Sequence, residues 1–245
     1  MAEEIIISLT SHGKRIERVR ETLDTLVNQH WRASRIILWL CERVENLNIP
    51  EGVEVRYSED YGPATKSIPA LREFPDAIIV TADDDVLYSR WWLFHLLVLH
   101  KLHPHDIIYA RGHKIIPGAP YKKWKWDRRL CLAGLMNHPT GVGGVLYPPG
   151  SLHPDVLDVE TMQRLCPMAD DIWMKVQSFR VGTICRRIFW PQKLFKPSDR
   201  CYIDAISTHN NRILSEKDTA AGLCNADIQL QALREYYGLD FPPKT

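Results

Sequence analysis

"AIIVTADDDVLY", residues 77–88, sets an apolar run directly against Asp83, Asp84 and Asp85. Ile78, Ile79 and Val80 read as a buried strand, and three adjacent carboxylates at its end repel one another. Two readings answer this. The aspartates form a solvated turn, as Asp commonly does, or they hold a divalent cation whose charge offsets their own. In an extended segment residues i and i+2 point the same way, so Asp83 and Asp85 are expected to converge while Asp84 faces elsewhere. Two carboxylates suffice for Mg²⁺ or Mn²⁺ when waters and phosphate oxygens supply the remaining ligands.

Working outward from that strand, the chain alternates strand and helix. Strands are expected over 4–10, 35–41, 52–59, 77–82 and 106–113, with helices over 16–31, 66–74 and 89–103. Ile16, Val19, Leu23, Leu26 and Val27 recur at helical spacing. Ser89 is placed to cap the third helix, and Pro69 is expected to interrupt the second. The rhythm predicts an α/β fold, Rossmann-like, whose mainly parallel sheet is covered by helices on both faces. The second half is richer in loops. It holds "TGVGGVLYPPGSL" (140–152), read as a glycine-rich turn around a short strand, then a helix over 170–182, a strand in "TICRRIFW" (183–190) and a closing helix over 225–238.

Composition narrows the class without naming it. With 245 residues, 45% of them hydrophobic, the chain can bury one sizeable core and is expected to form a single domain. The net charge of +1 gives no bulk attraction to nucleic acid or to an anionic membrane. Six scattered cysteines lack any C-x-x-C pair, and those in apolar runs such as "IILWLC" are expected to be buried reduced thiols. The start has no signal peptide and the longest apolar stretch, "WWLFHLLVLH", is too short to span a bilayer, so cytoplasmic residence is expected.

Ligands of open α/β sheets gather at the carboxyl ends of parallel strands. The polar residues there are Thr10, Ser11, Lys14 and Arg15 after the first strand, Glu42 after the second, Glu59 and Asp60 after the third, and Asp83 to Asp85 after the fourth. Carboxylates with cations and hydroxyls suit a metal-complexed polyanion. "YGPATKSIP" (61–69) adds Lys66 at the start of a helix, where a phosphate also meets free backbone N–H groups. "MADDIWMKV" (168–176) adds Asp170 and Asp171 at another helix start, where an aspartate can equally be a plain cap.

Four blocks in this order, "ISLTSHGKRI", "GPATKSIPAL", "IIVTADDDVLY" and "ADDIWM", resemble the GT-A fold glycosyltransferases of bacterial surface polysaccharide synthesis. The resemblance runs through about residue 180. It implies transfer of a sugar from a nucleotide diphosphate donor, a UDP-hexose for preference, to a saccharide or lipid-linked saccharide acceptor of capsule or lipopolysaccharide. About 1–115 would hold the donor and about 116–245 the acceptor. Asp85 with Asp83 would hold Mn²⁺ or Mg²⁺, with His209 as a third ligand. Ser8, Thr10, Arg15, Glu42, Asp60, Asp83 and Asp84 would contact base or ribose, and Lys66 the diphosphate. Asp171, supported by Asp170, would be the base of an inverting transfer. Tyr147, Trp124 and Trp126 are aromatic surfaces suited to sugar rings. A lipid-linked acceptor implies peripheral contact with the inner membrane face, and no nucleic acid is implied.

Two other classes fit parts of the pattern. Haloacid-dehalogenase-type phosphatases also follow a strand with D-x-D-x-[TV], and "DDDV" (83–86) matches it formally. That motif ends the first core strand there, whereas three strands precede it here. A binding module without turnover is the other, and it would have no need of repelling acidic pairs.

Overall fold

The computed structural model describes residues 3–126, 133–167, 169–189, 194–197 and 224–241. Four strands, β1 (Ile5–Thr10), β2 (Arg35–Leu40), β3 (Val53–Tyr57) and β4 (Ile78–Thr81), lie parallel in the order β3-β2-β1-β4. The chain builds outward from β1 to β3, then returns to the other side of β1 to form β4. That reversal opens a crevice at the carboxyl ends of β1 and β4, the position where open sheets hold ligands. The ends in question are Thr10 and Thr81.

Alternation along β1 sorts the core into layers. Ile5, Ile7 and Leu9 pack with Leu23 and Leu26 of α1 (Val19–Val27) and Leu93, Leu96 and Leu97 of α3 (Trp92–Leu102). Ile6 faces the other way with Ile37, Ile79 and Ala70 of α2 (Ile68–Glu73). Each such side chain, fully buried, contributes about 1.5–3 kcal/mol before entropy is counted. The far half of the sheet adds β6 (Ile107–Lys114), β8 (Asn137–Tyr147), the short β7 (Lys125–Trp126) and β9 (Cys185–Arg187). They pack on α4 (Val159–Leu165), α5 (Asp170–Arg180) and the closing helix Asn225–Tyr237 through Tyr109, Val145, Met162, Trp173, Val176 and Leu233.

Between β4 and the strand at 106–113 lies β8, antiparallel to both. Three expectations are corrected. Pro69 sits in the first turn of α2, where its missing N–H has no helical partner to lose, and so it starts the helix instead of interrupting it. Trp91, not Ser89, occupies the N-cap of α3, and Ser89 Oγ accepts from Trp91 N at 3.3 Å. Cys41 is exposed just past β2, where the expectation was a buried thiol, while Cys166, Cys185 and Cys224 are buried and unpaired.

The glycine-rich segment is neither a turn nor a short strand. It is the middle of the eleven-residue β8, and there residues 141–144 bulge out against the single Ala110 between Tyr109 and Arg111 of β6. Gly143 and Gly144 take φ of 89° and 93°, the left-handed region that side chains avoid. Trp92 Nε1 donates to Gly143 O at 2.7 Å, and a Cβ on Gly144 would lie 2.4 Å from the Trp92 ring. Gly144→Ala therefore combines backbone strain with overlap against a fully buried indole. The expected loss is about 3 kcal/mol, measured as a lowered urea midpoint with unchanged slope.

Candidate active site

β4 ends at Thr81, and residues 82–85 turn at once into β5 (Val86–Tyr88), so the aspartates are not extended. This overturns the expected convergence of Asp83 with Asp85. Asp84 and Asp85 instead share one guanidinium: Arg15 Nη2 lies 3.2 Å from Asp84 Oδ1 and makes a closer ion pair with Asp85 Oδ2. Asp84 is buried, accepts from Ser11 Oγ at 2.6 Å, and its carbonyl accepts from Thr22 Oγ1 at 2.9 Å. Burial pushes its pKa up, while Arg15 and the Ser11 hydroxyl pull it down. Ser11 thus serves the acidic turn and makes no cap, since the following 3₁₀ turn is capped by His12 without a side-chain bond.

Asp83 turns to the other side of the crevice. Lys66 Nζ donates to Asp83 Oδ1 at 2.9 Å and lies 3.6 Å from Asp170 Oδ2. Burial lowers the Lys66 pKa, but Asp83, Asp170 and Asp171 outweigh it and hold the ammonium well above its ordinary range. Lys66 is thus occupied by the protein's own acids and is not a free cation awaiting a diphosphate. Its backbone is pinned as well, because Lys66 O accepts from Ser8 Oγ at 2.6 Å, and Ser8 Oγ accepts from Trp39 Nε1 at 2.9 Å.

Neither Asp170 nor Asp171 caps α5. Ala169 holds that position, and the two acids form the first turn behind it. Asp171 instead accepts a hydrogen bond from the Gly141 backbone N–H, delivered by the β8 bulge. Burial, then the neighbouring Asp170 carboxylate, push the Asp171 pKa up to about 7 against the pull of Lys66. A Cβ on Gly141 would come 2.7 Å from Lys66 Nζ and 3.4 Å from Asp171 Oδ1, so only glycine leaves this contact undisturbed. Asp171 also lines a small cavity with Tyr147, Met174 and the buried Lys175.

Other expected residues are placed differently. Ser8 is wholly buried beneath the crevice, and Thr10 Oγ1 donates to Trp39 O at 3.0 Å, so both brace the strands rather than face a ligand. Glu42 and Asp60 are exposed just beyond β2 and β3, and Asp60 Oδ1 accepts from Gly62 N at 2.8 Å. Tyr147 and Trp124 are buried and offer no surface to a sugar, because their rings fill the second core cluster, while Trp126 remains 42% exposed. His209 lies outside the described residues.

The donor set can be tested against a divalent cation. Among the described residues, no three acidic, histidine or cysteine side chains gather as a ligand cage. Arg15 and Lys66 already divide the aspartates between them. The residues present fit an ion held by one or two carboxylates and by the oxygens of a bound diphosphate, which is how Mg²⁺ is commonly carried. They do not fit a site built by the protein alone.

The same architecture occurs in solved structures. S. aureus TarS 1–349 in complex with UDP matches with a TM-score of 0.53 and 15% identity over 98% of this chain and 72% of that one. A longer S. aureus TarS chain matches at 0.56 and 13% identity, 98% of this chain against 44% of that one, so the present chain spans under half of it. A 4-diphosphocytidyl-2C-methyl-D-erythritol synthase matches at 0.52 and 10% identity, over 84% of this chain and 98% of that one. No family model matches the chain, and no curated protein matches it. The chain therefore shares the fold of these structures: mixed α/β, with a mainly parallel central sheet flanked by helices.

Proposed function

We propose that this chain transfers a sugar from a nucleotide diphosphate donor, with UDP the preferred nucleotide, to the hydroxyl of a saccharide or lipid-linked saccharide acceptor. The observation that carries the reading is the meeting of Asp83, Asp170 and Asp171 around Lys66 at the crevice between β1 and β4. A fold of this type with three acids gathered around a lysine at its switch point suits a reaction that needs a base on one side and charge control of a diphosphate on the other. The donor half would be residues 1–115 and the acceptor half residues 116–245.

In this reading the acceptor oxygen attacks the anomeric carbon and the bond from that carbon to the diphosphate oxygen breaks, its electron pair leaving with the nucleotide. Asp171 takes the acceptor proton. Asp170 raises the proton affinity of Asp171, and Lys66 and the Gly141 N–H lower it, which together set its charge. Asp85 would hold Mg²⁺ or Mn²⁺, whose charge would stabilise the leaving diphosphate, while Asp83 stays on Lys66. Arg15 must then release Asp85, and a guanidinium beside the site is well shaped to meet a phosphate. Glu42 and Asp60, exposed at the rim, are the acids offered to base and ribose. Single displacement inverts the anomeric centre.

The test is a panel of UDP, GDP, dTDP and CMP, with and without Mn²⁺, read by melting temperature and followed by turnover of the matching sugar nucleotide. Metal-dependent stabilisation by UDP with an inverted product supports the reading. Stabilisation without turnover points to a binding module, and phosphate release from simple monoesters points to a phosphatase. Retained anomeric configuration in the first product's proton spectrum removes Asp171 from the role of base.

A further inference from the structure

The outward side of α3 carries a surface that the proposed chemistry does not use. Trp91, His95, Val98 and Leu102 recur at helical spacing and fall within about 60° of one another around the axis. Trp91, Val98 and Leu102 are 41%, 38% and 68% exposed. At the N-terminal end the apolar strip is widened by aromatic neighbours. The Trp91 ring lies 5.7 Å from Phe94, which lies 6.2 Å from Trp31. Contiguous exposed apolar surface of this kind marks a binding face.

Its charge is one-sided. From Val86 to His105 there is no acidic residue, while Arg90 and Lys101 stand at the two ends of the helix. Both cations are folded over the aromatic rings, Arg90 at 5.6 Å from Trp91 and Lys101 Nζ at 4.4 Å from Trp31. Glu3 reaches His100 at 3.7 Å, but His100 is buried and lies on the opposite side of the helix. Asp106, at the helix's far end, is held by Arg186 at 2.8 Å.

We infer that this face of α3 docks flat on an anionic lipid surface, its tryptophan and leucine entering the headgroup boundary and its cations meeting lipid phosphates. Indole rings flanked by Lys and Arg are the composition suited to that boundary, where one part of the side chain is apolar and the other wet. The alternative of a second copy is disfavoured by charge. A two-fold contact through this strip would set Arg90 and Lys101 of both copies together with no acid of the strip to answer them. Anionic headgroups answer them directly. The inference does not depend on sugar transfer, because membrane contact is read without any donor or acceptor.

The experiment is flotation of the purified chain with vesicles of phosphatidylcholine alone and of phosphatidylcholine with phosphatidylglycerol. Binding to the anionic vesicles is expected, weakening with added salt and on the neutral ones. Arg90→Glu with Lys101→Glu should lower the partition coefficient by roughly 10–30-fold, given the usual attraction per basic residue near such a surface. Trp91→Glu with Leu102→Glu should lower it at least as far while melting at the wild-type temperature. If that second pair fails to fold, the charge-reversal pair decides alone. Absence of vesicle binding, or binding that the folded variants retain, overturns the inference. So does a wild-type dimer in sedimentation that the Trp91 and Leu102 changes dissolve, since the strip is then a protein interface.

Discussion

Asp171→Asn should lower turnover by about 10²–10⁴-fold while leaving UDP affinity intact, the usual consequence of removing a general base. Asn keeps an oxygen for the Gly141 N–H, so the β8 bulge and α5 stay joined and the loss falls on proton transfer. The pH profile supplies the sign. A base must be ionised, so wild-type kcat/KM should rise with pH through about 7, where burial and Asp170 have pushed the Asp171 pKa, and the variant should lose that limb. Stability runs the opposite way. The folded carboxyl binds protons more tightly than the unfolded one, whose pKa is near the ordinary 3.8, so its contribution to stability falls as pH climbs from there through about 7. Asn never ionises, and the variant should melt no lower than wild type above that pH. A variant that melts lower and binds UDP poorly would mark Asp171 as structural.

Lys66→Met is expected to be the most damaging single change to the cleft. It leaves Asp83, Asp170 and Asp171 facing one another without the ammonium that Asp83 meets at 2.9 Å and Asp170 at 3.6 Å. Removing one partner of a buried charge cluster costs about 3–5 kcal/mol, or a melting point lower by roughly 10 °C in a chain of this size. Thermal melts across pH check the cause. The defect should be full above the raised Asp171 pKa, where the stranded acids repel, and should shrink as pH falls and Asp171 takes up its proton. A pH-independent defect would instead point to lost packing of the lysine stem. Activity should vanish in either case, because Asp171 without Lys66 holds its proton to higher pH.

The strand-then-aspartate run and the βα rhythm were readable in the sequence because both are local. Ile78 to Val80 followed by three acids can be recognised in any twelve-residue window, and the 3.6-residue recurrence of Val19, Leu23 and Leu26 calls for no partner. What escaped was set at long range. Lys66 meets Asp170, and Arg15 meets Asp84 and Asp85, across separations that only the fold closes. Asp83 parts from Asp85 because β5 begins at Val86, and three residues of strand are too few for periodicity to announce. "GVGG" signalled special backbone, but a bulge is defined by the register of its partner strand, and β6 lies some thirty residues earlier. Ser8, Thr10 and Ser11 looked like ligand or cap hydroxyls, and their true partners are Lys66 O, Trp39 O and Asp84.

The central claim is that this acidic crevice receives a nucleotide diphosphate together with a metal. Calorimetric titration of UDP into wild type and Asp85→Ala, each with and without Mn²⁺, addresses it most directly. Asp85 is 26% exposed at the crevice edge, so its removal should leave the fold intact. The account predicts Mn²⁺-dependent UDP binding in the wild type and its loss in the variant. Undiminished Mn²⁺-dependent binding by Asp85→Ala, or a wild type that binds no nucleotide with metal present, would contradict it.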